Sequence, residues 1–147
     1  MVEPVHITGE WELPGPAQIF AHNAPADIDA RLGAALDVLR AEGAVAAYRA
    51  LNNERRIKYL GAAFFTKVLH FAGAEGELPG PHRPLILDSV VSRAPRASGA
   101  VAATWPGRGW RTAQYAHYLA GVQAYADRVG ARPDQVELAL FRAGGNH

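Results

Sequence analysis

Residues 62–72 read AAFFTKVLHFA. At 100° per residue Phe65, Val68, Leu69 and Ala72 share one face, and Phe64 and Phe71 extend the apolar surface on one flank, so the spacing predicts a helix with little polar surface. What remains is a narrow strip of Thr66, Lys67 and His70. The helical period continues outward on both sides. Upstream, Ile28, Leu32, Ala35, Leu36 and Leu39 recur at three and four and predict a helix from near Pro25 to Gly43, followed by a shorter one through Val45, Tyr48 and Leu51 that stops around Asn52 and Asn53. Downstream, a short helix is expected to begin at Asp88 and to end at Ala94, before Pro95. The longest helix is expected from about Trp110 to Val129, with Tyr115, Tyr118, Leu119, Val122, Tyr125, Ala126 and Val129 in one stripe, and Pro133 opens a last helix carrying Val136, Ala139 and Leu140. Only Pro84 to Leu87 reads as a strand, too short to make a sheet. An extended N-terminal arm over residues 1–24, loops at 73–84 and 95–109, and a terminal Gly144–Gly145 complete the pattern. The expected class is all-α, a single helical domain over residues 1–147 with about six helices.

Composition agrees with one soluble domain: 147 residues, 49% hydrophobic, 20% charged, no cysteine and a formal charge of +1. A chain of this length buries roughly 68–70% of its unfolded surface and needs no staple. Without cysteine there are no disulfides, thiolate metal sites or cysteine nucleophiles, and no metal or membrane partner is expected. No apolar run approaches the roughly 18 residues of a membrane span. Met1 is followed by acidic, proline-rich sequence rather than a basic apolar leader, so a cytoplasmic location and a monomer are the expectation.

The near-neutral charge conceals a division. Residues 1–82 carry seven Lys or Arg against ten Asp or Glu, whereas residues 83–147 carry eight against four. Arg83, Arg93, Arg96, Arg108 and Arg111 fall within one stretch that holds a single acid, Asp88, and such a stretch suits either phosphate or plain solvent. Of fifteen basic residues only Lys58 and Lys67 are lysines. A lysine set between aromatics has two readings. Its stem packs on apolar surface while its ammonium reaches water, or apolar surroundings favour the neutral amine and make it a nucleophile. Asp88 follows an apolar run and opens a helical stretch, as a helix cap does. A capping carboxylate is also a fixed negative charge that can stabilise a developing cation. Trp105 and Trp110 flank a Gly-Arg-Gly loop and read as packing anchors or as base-stacking groups.

The run YLGAAFFTKVLHFAG, followed after a loop by PLILDSVVSR, resembles the helix-hairpin-helix DNA glycosylase superfamily, and within it the 8-oxoguanine DNA glycosylase-like proteins. The TKV of Thr66–Val68 is similar to the family's lysine segment and LDSVVSR of Leu87–Arg93 to its aspartate segment, with a weaker likeness in PDQVELALF. The resemblance implies a hydrolase and lyase of DNA repair. A damaged or modified base of duplex DNA, such as 8-oxoguanine, is flipped out, Lys67 forms a Schiff base with the sugar, and Asp88 stabilises the sugar cation. Gly61, Arg83, Arg93, Arg96, Arg108 and Arg111 would then bind the DNA backbone, with Thr66, His70, Trp105 and Trp110 as candidate pocket residues. No cofactor is implied beyond a monovalent cation at the hairpin. The family hairpin has two glycines, while here Gly61 stands alone. Aligned on the hairpin, the family lysine falls at Ala63, one helical turn before Lys67; aligned on TKV, it falls at Lys67 and the hairpin is lost. The alternative is a nucleic-acid-binding module of the same fold with weak or no catalysis.

Overall fold

The computed structural model describes residues 15–58, 60–74, 77–80, 82–98, 101, 104–105 and 110–145. Among them are seven helices and no strand: α1 (Gly15–His22), α2 (Pro25–Glu42), α3 (Ala44–Asn52), α4 (Ala62–Ala72), α5 (Ser89–Ser98), α6 (Thr112–Val129) and α7 (Pro133–Gly145). The class is all-α. Its chief pairings are α2 on α3 and α5 on α7, and α6 joins the two by packing on α3 and on α7.

Four local expectations are corrected. Residues 15–22 of the supposed extended arm are helix α1, anchored by buried Ile19; residues 1–14 lie outside the described residues. A proline at position 16 is compatible with this, because the first turn of a helix spends no intrahelical N–H. Helix α5 runs through Pro95 to Ser98, and the buried Pro95 gives its carbonyl to the Val101 N–H at 3.1 Å. Packing against α7 overrides the local break, helped by Arg93, which donates to the Gly144 carbonyl at 3.1 Å. The terminal glycines likewise lie inside α7. Finally, the stripe of α6 is narrower than expected: Tyr115, Tyr118, Leu119, Val122 and Ala126 are buried, while Tyr125 and Val129 are exposed.

Aromatic packing ties α3, α4 and α6 together. Tyr48 stacks on Tyr115 at 4.0 Å between centroids and meets the edge of Phe65 at 5.2 Å, with its hydroxyl donating to the Trp110 carbonyl. Burial pushes both tyrosine hydroxyls well above their ordinary range, which keeps them as neutral donors. At the α2–α3 corner, Gly43 has φ of 98°, and a Cβ there would sit 2.6 Å from the Pro79 carbonyl oxygen. Both the backbone conformation and the close approach demand glycine.

The segment Pro84–Leu87, expected as a strand, has no regular secondary structure, since no neighbouring strand is present among the described residues. Its polar backbone groups must find partners elsewhere. The Tyr115 hydroxyl accepts from the Leu85 N–H at 3.1 Å and donates to the Leu85 carbonyl at 2.7 Å. Glu137 accepts from the Ile86 N–H at 2.6 Å, and Thr66 from the Leu87 N–H at 2.9 Å. Side chains of α6, α7 and α4 thus take the place of a sheet. Tyr115→Phe removes both partners of Leu85 without opening a cavity and is expected to lower stability by about 1–3 kcal/mol. The urea midpoint should fall at unchanged m value; an unchanged midpoint would show that Leu85 is satisfied otherwise.

Candidate active site

The segment before α5 lies antiparallel to α4. Two hydrogen bonds fix this register, Leu87 N–H to Thr66 Oγ1 at 2.9 Å and Pro84 carbonyl to His70 Nδ1 at 3.0 Å. Thr66 is fully buried and also donates to the Ala62 carbonyl one turn back, which satisfies its hydroxyl completely. It is therefore a brace between two chain segments and not an open pocket residue. The consequence is positional: Lys67 and Asp88 are each the next residue after one end of the same hydrogen bond.

Lys67 is exposed on α4. Phe64 and Phe71, three residues before and four after it, occupy the same helical face and are 42% and 68% exposed. The apolar surroundings expected for the lysine are thus supplied by its own helix and stand open to solvent. Asp88 is half-buried, and its Oδ1 accepts from the Val91 N–H at 2.8 Å, so the expected cap of α5 is present. A carboxylate has a second oxygen, and the cap holds the group rigid without consuming its charge.

Glu137 is a buried acid that sequence reading passed over. It follows Val136 and stands three residues before Leu140, the apolar residues by which α7 meets the core, and that placement is the signal that could have found it. Burial raises its pKa, against the Ile86 N–H bond and nearby His70, which lower it; Asp134 and Asp88 raise it further. The folded state therefore holds the Glu137 proton to higher pH than the unfolded chain does. In that window the unfolded chain binds fewer protons, so stability falls as pH rises from the ordinary glutamate range to the raised folded value. Glu137→Gln keeps an acceptor for Ile86 and removes the titration. Denaturation midpoints measured across this range should show the variant gaining on the natural protein as pH rises; parallel curves would refute the shift.

The remaining site residues separate into groups. Gly61 is the exposed residue before α4, with φ of −86° and nothing within 4 Å of a would-be Cβ, so its lack of a side chain leaves the helix N-terminus open to approach. Arg83 is exposed and donates to the Gly73 carbonyl at 3.0 Å; Arg93 braces α7, and Arg96 donates back to Ser92 within α5. Arg111 is exposed at the start of α6, and Arg108 lies outside the described residues. Trp110 is fully buried, its ring edge-on to Trp105 at 5.1 Å and to Tyr118 at 5.4 Å. It is a core residue and unavailable for stacking on a base, while Trp105 is half-buried against it. His70 is half-buried and lines a cleft of about 690 Å³. The loop between α3 and α4 holds exposed Arg55, Arg56 and Lys58 around buried Ile57. Sequence reading missed this basic group because the acidic total of the first half concealed it. Among the described residues no group of acids and histidines forms a metal cluster, and no helix is long and apolar enough to cross a membrane.

A helical chain in which a lysine-bearing helix is hydrogen-bonded to the segment leading into an aspartate-capped one is the class this geometry defines. Residues 14–141 match the model of a family described as "Putative 8-oxoguanine DNA glycosylase OGG-like protein", and the chain belongs to that family. No curated protein and no solved structure matches it.

Proposed function

We propose that the protein is a DNA glycosylase with lyase activity that acts on duplex DNA carrying a damaged or modified base of the 8-oxoguanine kind. What supports this most is the family match together with the register of Leu87 on Thr66, the chain neighbours of Asp88 and Lys67. In this reading α3, the loop at 53–61 and α4 are the hairpin unit. Arg55, Arg56 and the open helix start at Gly61 meet phosphate, and Arg83, Arg96, Arg108 and Arg111 extend that contact without reading sequence.

The target nucleotide is extruded at a cost of a few kcal/mol in unstacking, offset by backbone contacts. Lys67 Nζ attacks C1′ in its amine form, the bond from C1′ to the base nitrogen breaks, and the electron pair leaves with the base, which takes up a proton. Asp88 stabilises positive charge on the sugar during this step and accepts the proton released by the amine. Ring opening gives a Schiff base between Nζ and C1′. Loss of a proton from C2′ then expels the 3′ phosphate by β-elimination, and water frees the lysine. The exposure of Lys67 favours the second reading, a nucleic-acid-binding module of the same fold without turnover, in which the ammonium merely meets phosphate. Borohydride trapping on a duplex with an abasic site separates them: a covalent complex supports the glycosylase, and binding without one supports the module.

A further inference from the structure

The proposed chemistry leaves unused the cleft of about 690 Å³ at the C-terminal end of α4, walled by His70, Glu77, His82 and Arg83 and by Arg132 and Asp134 at the start of α7. Its volume falls within the range of small-ligand sites. Two features connect it to the chain segments that carry Lys67 and Asp88. His70 is three residues beyond Lys67, about 4.5 Å along the helix axis. Pro84 and Leu85, also in the wall, begin the segment that ends in Asp88.

The chemistry of the wall narrows the ligand. His82 Nδ1 is buried and has no hydrogen-bond partner among the described residues, a costly state unless something entering the cleft supplies one. His70 uses Nδ1 on the Pro84 carbonyl, and Arg83 uses one guanidinium nitrogen on Gly73, which holds both side chains in place. Arg132 is paired with Asp134 at 3.1 Å, and its guanidinium holds that carboxyl below the usual range. Glu77 then offsets Arg83, so the wall offers both donors and acceptors with little net charge. Leu78, Pro84 and Pro133 add apolar surface. A phosphate, which only accepts and carries negative charge, is poorly matched to two carboxylates. A nucleobase edge alternates donors and acceptors and is neutral.

We propose that this cleft receives the extruded nucleobase, with His82 and Arg83 of the loop between α4 and α5 reading its edge. The assignment rests on the glycosylase reading for its substrate and is tested separately from it. In a titration of the full chain, 2′-deoxyguanosine and 8-oxo-2′-deoxyguanosine should shift the imidazole proton resonances of His70 and His82, and inorganic phosphate at the same concentration should not. Shifts with phosphate alone, or with none of the three, overturn the assignment. His82→Ala should slow base excision from duplex containing 8-oxoguanine about tenfold, as loss of a polar pocket contact does, and leave trapping on a preformed abasic duplex within about twofold, since that substrate has no base to seat. Equal losses on both substrates overturn it as well. A natural protein that responds to nucleoside but forms no covalent complex on abasic DNA defeats the glycosylase reading and leaves the cleft assigned; trapping without a nucleoside response does the reverse.

Discussion

Lys67→Ala is expected to abolish the borohydride-trapped complex between the protein and an abasic duplex, a loss of roughly 10³-fold or more of the kind that follows removal of a covalent nucleophile. The chain has only one other lysine, Lys58, whose carbonyl accepts from Asn23 and which lies in the loop ahead of α4. The variant should fold normally. Lys67 is exposed on α4, and alanine is the best helix former, so stability should change by no more than about 0.5 kcal/mol. Duplex binding should weaken only as loss of one phosphate-range charge requires, with a small reduction in its salt slope. Persistent trapping in the variant would move the nucleophile elsewhere, with Lys58 or the terminal amine the remaining amines, and would sink the role given to Lys67.

Asp88→Asn is expected to slow base release by roughly 10²-fold, the scale of losing one preorganised electrostatic stabiliser, while duplex binding and stability stay close to those of the natural protein. Asparagine caps a helix as well as aspartate does, so the bond to the Val91 N–H survives and only the charge is lost. Asp88→Ala provides the contrast, with the cap lost as well at about 1 kcal/mol. If both variants lose activity only in proportion to lost folding, Asp88 is a cap and nothing more. Single-turnover kinetics beside thermal melts decide the matter.

Much of this arrangement is legible in the sequence because it depends on local period. The stripe of Ile28, Ala35 and Leu39 gives α2, and the alternating faces of residues 62–72 give α4. Asp88 as a cap follows from its place between an apolar run and a helix. The errors have a common origin in long-range contacts. Pro95 is a helix breaker by local rules, and only the packing of α5 on α7 retains it. Thr66 appears on a polar strip, yet it is buried because Leu87 needs an acceptor there. Trp110 sits at a loop end and is a core residue because Tyr48, 62 positions away in the chain, donates to its carbonyl. His82 carries no periodic signal, and Glu137 only its place beside the apolar residues of α7; each matters through the backbone segment or cleft that tertiary folding places beside it.

Gly43 lies on none of the elements that carry Lys67 or Asp88, yet it bears on what the cleft can hold. The Pro79 carbonyl rests against its bare α-carbon, so the strip of loop that walls the cleft is moored to the corner where α2 turns into α3. A methyl group at residue 43 would lift that mooring, and the wall would swing with it. On the proposed assignment, selectivity among bases and the integrity of this helical corner are inherited together, and a search for variants with altered base preference could begin at a residue outside the cleft wall.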